Sequence, residues 1–278
     1  MNTYKSTGQY DGLIKKIKRK KLICNIGLTV TVIGLLLLAL PVYIEILSET
    51  VIDYAGWHPG VTVACAVLIF IVYTVLHAIA IFPLFSSLDV ECDPQKYLDL
   101  NFAFQKPKDL PPVCSVGMFY LGDFSAALAY SEQMLSSGQA DKVIVGIFCK
   151  ARAQFFLGNH TALKETAELF DAKISSLGKI SDKKRDIYEK QRVVLRLLVA
   201  LSEKNDEKIA VYAKSLAPWG TSKATESFIN YMKGVSAYTL GDRKESLYRF
   251  MLVKDNAPKT VFARFASEYL DKINADGE

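Results

Sequence analysis

The sequence predicts an all-α chain in two parts: an N-terminal transmembrane helical hairpin, then helix–turn–helix units stacked into a solenoid. Three observations predict this. Two stretches, 22–44 and 54–88, contain no Asp, Glu, Lys or Arg. From about 108 to Ile273, apolar residues recur at three- and four-residue intervals, without an alternating stretch of useful length. A Leu-Gly turn before a helical run also returns three times, in FYLGDFSAALAYSEQML at 119–135, FLGNHTALKETAELF at 156–170 and TLGDRKESLYRF at 239–250.

The elements follow in chain order. Residues 1–21 form a basic segment, whose first dozen residues are polar and predict no regular structure. Lys15, Lys16, Lys18, Arg19, Lys20 and Lys21 then cluster just before the first apolar stretch. Residues 22–88 make the two-helix hairpin, with a short outer loop at about 45–60. Each apolar stretch exceeds the roughly 20 residues that an α-helix needs to cross a bilayer core. A cleaved secretory signal also begins with basic residues. Its apolar run is shorter, however, and ends in a small-x-small site, whereas Pro41, Val42 and Tyr43 stand here.

The charges orient the hairpin. Residues 1–21 carry seven basic residues and one acid, and the loop carries Glu45, Glu49 and Asp53 with no cation. The positive-inside rule therefore places the N-terminus and everything after the second span in the cytosol. Tyr54, Trp57 and His58-Pro59-Gly60 suit an interfacial turn. The basic cluster is predicted to meet anionic lipid headgroups. The remainder of the chain is nearly balanced, with 27 basic and 25 acidic residues, which argues against nucleic-acid binding. A multi-pass protein of a bacterial plasma membrane fits this layout. Five cysteines, none in a CxxC pair, predict free thiols in a reducing compartment.

Residues 89–107 form a membrane-proximal helix and linker. Asp93-Pro94 starts a helix that runs to about Phe104, and QKPKDLPP at 105–112 breaks it. Residues 108–278 form the repeat domain. Gly122, Gly158 and Gly241 mark its turns, and Asn205 occupies the corresponding place in a further unit. Small residues after each turn (Ala126, Ala127, Ala162, Ala210, Ser246) let the second helix lie close to the first.

At these residues the chain resembles the tetratricopeptide-repeat (TPR) family, whose unit is about 34 residues long. The last unit matches best, with Gly234 at the small position of the first helix, Gly241 at the turn and Pro258 at the closing proline. Ser115, Ala151 and Leu198 stand at the first-helix small position of the other units, and 175–186 holds an insertion. The resemblance implies a protein-binding module with Phe119, Arg152, Phe155, Arg192, Tyr231 and Tyr238 facing a concave groove. Aromatic and Arg side chains are frequent interface anchors, although an aromatic at helical spacing also packs between repeats. Some members hold a peptide carboxylate with Lys and Asn. Pro112 and Val116 stand at those places here, which argues against chaperone-tail binding of that kind.

Catalytic and metal-binding patterns are missing from the sequence. His58, His77 and His160 share no ligand spacing, and no phosphate loop, GxSxG elbow or HExxH occurs. The expectation is a non-enzymatic scaffold without metal or cofactor, binding protein partners at the membrane. The alternative is a sensor or accessory subunit of a membrane transport or signalling complex that acts through a hairpin oligomer. In that reading His77 is the intramembrane ionisable group.

Overall fold

Four helix ends of this chain close in the same way, and they set its architecture. The computed structural model describes residues 4, 6–48, 59–219 and 222–275, with side chains except at 35–48, 59–63 and 85. Among the described residues the chain is all-α, with twelve α-helices, one 3-10 turn and no strand. It divides into two units. One is Gly8–Leu84. The other is Phe85–Glu278 joined by Met1–Thr7.

In the first unit, α1 spans Asp11–Ser48, and α2 starts at Pro59 and ends at Asp89. The basic cluster lies on α1 itself, so the helix passes from charged to apolar residues without a break. Lys15, Lys16, Lys18, Arg19 and Lys20 are exposed and Lys21 is half-buried. Ala64–Leu84 has the length and apolarity of a membrane span, with mean hydropathy 2.6, and is only 6% buried. It is the only such helix segment among the described residues. The expected first span, 22–44, lies partly outside the described side chains, and most of the expected loop, with Tyr54, Trp57 and His58, lies outside the described residues. Thr29 and Thr31 donate to Asn25 O and Gly27 O, so both hydroxyls are satisfied by their own helix. Tyr73 Oη donates to Asn25 Oδ1 (3.3 Å), and the ring of His77 stacks on Tyr73 at 5.6 Å.

The second unit is built from helix pairs. Its helices are α3 (Pro94–Phe104), α4 (Leu110–Leu121), α5 (Phe124–Leu135), α6 (Ala140–Phe156), α7 (His160–Ser175), α8 (Asp182–Ser202), α9 (Asp206–Ser215), α10 (Lys223–Thr239), α11 (Arg243–Asn256) and α12 (Val261–Ala275). Asp93 caps α3 by accepting from Lys96 N (2.9 Å). The proline-rich stretch does not simply break the chain. Pro107–Asp109 is the 3-10 turn, and Pro111 and Pro112 sit in the first turn of α4, where no backbone donor is needed.

The four turns share one hydrogen-bond pattern. Asp123 N donates to Met118 O, Asn159 N to Gln154 O, Asn205 N to Ala200 O and Asp242 N to Ala237 O, at 2.8–3.0 Å. In each, the preceding residue is left-handed: Gly122 (φ 93°), Gly158 (φ 73°), Lys204 (φ 53°) and Gly241 (φ 80°). This is the Schellman end of a helix. It corrects the third turn by one residue. Lys204, not Asn205, adopts the left-handed backbone, and Asn205 caps α9 by accepting from Lys208 N (3.0 Å). Asp123 and Asp242 cap α5 and α11 in the same way. The first and last pairs also match in their close contacts. Ser115 Oγ on α4 donates to Ala127 O on α5, and Ser246 Oγ on α11 donates to Gly234 O on α10, both at 3.1 Å. The donor has moved to the opposite helix, and a small residue, Ala127 or Gly234, faces it in each case.

Consecutive helices pack along the chain from α3 to α12, and α12 returns to α4 and α10. Phe262 of α12 lies 5.4 Å from Phe119 and 5.2 Å from Phe228, between ring centroids. Lys259 Nζ, just before α12, meets Asp93 Oδ2 at 2.7 Å. Tyr4 and Thr7, in a segment for which the sequence predicts no regular structure, also dock. Tyr4 packs on Phe102 at 4.8 Å and donates to Asp99 Oδ1 (2.6 Å), and Thr7 Oγ1 donates to Asp99 Oδ2 (3.1 Å).

Candidate functional site

The six residues that the repeat resemblance assigns to a groove fall into three settings. Phe119 and Tyr231 are core. Phe119 is 1% exposed and has Phe124, Phe156, Phe228 and Phe262 around it at 5.4–5.7 Å. Tyr231 is enclosed by Phe262 (5.1 Å), Phe250 (6.0 Å) and Phe265 (6.1 Å), and burial pushes its phenol well above the ordinary range. Phe155 and Tyr238 are half-buried at the edge of this cluster, Phe155 against Phe156 and Tyr238 against Tyr269 (5.1 Å). Arg192 is elsewhere. It bridges α8 to α7 through Asp171 Oδ1 (2.8 Å) and pairs with Glu189 on its own helix. Its charge is therefore already compensated.

Arg152 is different. It projects from α6 into the interior and is 3% exposed. Its guanidinium carbon lies 4.2 Å from the Phe119 ring centroid, 4.4 Å from Phe148, 5.7 Å from Phe228 and 5.9 Å from Trp219. Arg152 Nη2 donates to Cys149 Sγ (3.3 Å), and its Nε is buried without a partner. Aromatic faces stabilise a cation that has lost its water, but each supplies only about 0.5–2 kcal/mol.

A cleft of about 120 Å³ opens beside Arg152. Tyr120 and Val116 of α4, Val145, Phe148 and Cys149 of α6, Gln191 of α8 and Ser222 and Thr225 at the start of α10 line it, with Trp219 and Asp89. Gln191 is 6% exposed and its Oε1 also lacks a partner. Burial pushes the Tyr120 phenol up to about 12, with Arg152 and Thr225 pulling the other way. It stays neutral at physiological pH.

The repeat resemblance assigns Arg152 to a groove and does not include Trp219, Gln191 or Phe148. Trp219 lies in the segment between α9 and α10, outside any helical register, so only its size marks it. Among the described residues, no group of three or more His, Cys, Asp or Glu is placed to hold a metal ion. Compared with known proteins, the chain matches no family model, no curated protein and no solved structure.

Proposed function

We propose that this chain is a membrane-anchored adaptor: a two-span hairpin holds a TPR-like helical domain on the cytosolic face of the plasma membrane, where it collects a protein partner. The observation that carries this is Ala64–Leu84. Phe70, Leu68 and Phe82 on it are 60–66% exposed, and Ile71, Val75 and Ile79 are 52–59% exposed. Such a surface is costly in water and stable in lipid. The basic face of α1, from Lys15 to Lys21, supports the orientation by favouring the anionic inner leaflet. The repeated Schellman turns support the TPR-like reading, because one helix–turn–helix unit recurs with the same caps. An adaptor needs no reaction. Anchoring raises the partner's effective concentration at the membrane.

The test uses the full-length chain in its own membrane. A photo-crosslinking amino acid is placed at Tyr238, at Phe155 and, as a control, at Tyr248, which is exposed on α11. The adaptor reading expects one partner adduct at Tyr238 or Phe155 and not at Tyr248. A cysteine placed near the C-terminus should stay unlabelled by an impermeant thiol reagent in sealed cells. Labelling there, or identical adducts at all three positions, would refute the reading.

One observation favours the alternative, a sensor or accessory subunit acting through an oligomer of the hairpin. His77 Nδ1 is buried without a partner, on the helix that carries the apolar span. If His77→Phe abolishes function while Tyr238→Ala leaves it intact, the alternative prevails.

A further inference from the structure

A guanidinium remains charged at every physiological pH, and a charge inside a protein is costly unless an opposite charge or several acceptors face it. Among the described residues, Arg152 makes no ion pair. Its one hydrogen bond goes to a thiol, a weak acceptor, and its Nε has none. Asp89 lines the same cleft without reaching it. The cleft beside this cation is also open, and its other polar walls suit an anion. Ser222 is the N-cap of α10, its Oγ accepting from Thr225 N at 3.5 Å, and the helix dipole at this end favours negative charge. The Gln191 amide can present its NH2 by a half-turn of the side chain.

We propose that this cleft binds a small organic carboxylate, with Arg152 as its counter-charge. The charge balance selects a monoanion. One cation faces the cleft, and Asp89 at its rim repels a second negative charge, which disfavours phosphate. The walls select an apolar body, because Phe148 and Trp219, packed edge to face on each other at 5.2 Å, lie 4.4 and 5.9 Å from the guanidinium. The cleft, about 120 Å³ and open on one side, admits a short carboxylate whose chain can continue outward into solvent. That carboxylate belongs either to a free acid or to the end of a polypeptide. The inference does not depend on the adaptor reading.

The test reads Trp219 in the full-length chain. The protein has two tryptophans, so Trp57→Phe leaves Trp219 as the only emitter. Sodium propionate should change its emission saturably and raise the unfolding temperature, and sodium chloride at equal ionic strength should do neither. Arg152→Met should lower the apparent affinity at least tenfold, while the unliganded variant unfolds no earlier than the parent, since it loses an uncompensated charge. If Arg152→Met does not fold, Val145→Phe decides, because it fills the cleft from a half-exposed wall and leaves Arg152 in place. It should abolish the response. Tetra-alanine with a free or an amidated C-terminus separates the two sources. A response to the free peptide at lower concentration than propionate assigns a polypeptide end, and a response to propionate alone assigns a free acid. No saturable response, an equal response to chloride, or an undiminished response in Arg152→Met or Val145→Phe overturns the proposal.

Discussion

Gly122 and Gly158 have the same backbone but different surroundings, so the pair separates strain from packing. Both are left-handed, with φ of 93° and 73°. A Cβ at Gly158 meets nothing within 4 Å, whereas at Gly122 it would lie 2.7 Å from Val261 Cγ2 and 3.0 Å from Val261 Cβ. The left-handed backbone costs a residue with a Cβ about 1–2 kcal/mol. Reduced freedom of the unfolded chain returns about 0.4–1 kcal/mol. Gly158→Ala should therefore destabilise by about 1 kcal/mol. Gly122→Ala carries the same strain plus overpacking of about 1–3 kcal/mol, because Val261 opens α12 and is itself buried. Its total should be about 2–4 kcal/mol. Denaturant unfolding of the full-length chain in mild detergent, followed by far-ultraviolet circular dichroism, measures both. The double variant Gly122→Ala/Val261→Ala should cost less than the sum of its single changes, since removing the valine methyls relieves the overlap. Equal losses for the two glycines, or strict additivity with Val261→Ala, would show that α12 does not pack on the α4–α5 turn.

Three other outcomes follow from the packing. Tyr4→Phe should destabilise by about 1–2 kcal/mol in the same assay, because it removes a donor to the buried Asp99 carboxylate and leaves Thr7 as the remaining donor seen from the N-terminal residues. Cys92 and Cys114 should resist alkylation at pH 8 in the native chain and react only after denaturation, as read by mass spectrometry; burial pushes their thiols up to about 11 and about 12. Lys184 and Tyr188 hold the Asp141 carboxyl below its ordinary value of 3.8, so its contribution is present above that pH and fades as pH falls through the lowered value. Asp141→Asn should accordingly flatten the loss of unfolding midpoint below pH 4; the group is exposed, so the change is small, and an unaltered acid profile would remove the carboxylate from the link between α6 and α8.

The helical class was legible because periodicity and turn glycines are local signals. Gly122, Gly158 and Gly241 stand where the sequence puts them. The third turn falls one residue before the position the sequence predicts, because Lys204 has no turn chemistry and Asn205, next to it, does. The better mark is the capping residue. Asp123, Asn159, Asn205 and Asp242 all follow the left-handed residue, and three of the four cap the next helix with their side chains. The long apolar stretch of α2 was legible from composition alone. The docking of Tyr4 on Asp99 was not, since the two residues stand far apart in a tail and a helix that carry no pattern in common. The same holds for the site. The repeat resemblance assigns Arg152 to a groove, whereas its burial, its missing counter-charge and the arrival of Trp219 beside it are long-range facts.

The return of α12 constrains where a partner can bind. The positions that a repeat resemblance assigns to a groove include Phe119 and Tyr231, and both already touch Phe262. A peptide can reach them only if α12 leaves. Undocking exposes Phe262 completely, at about 1.5–3 kcal/mol for that side chain, and Val261, Ala266 and Ile273 with it. The ion pair between Lys259 and Asp93 opposes the same movement. The adaptor reading is therefore better served by the margin of the cluster, where Phe155 and the Tyr238–Tyr269 pair are only half-buried and can be covered without disturbing a helix. On this account the chain uses α12 as a resident ligand for its own interior, and a partner meets the rim that α12 leaves open.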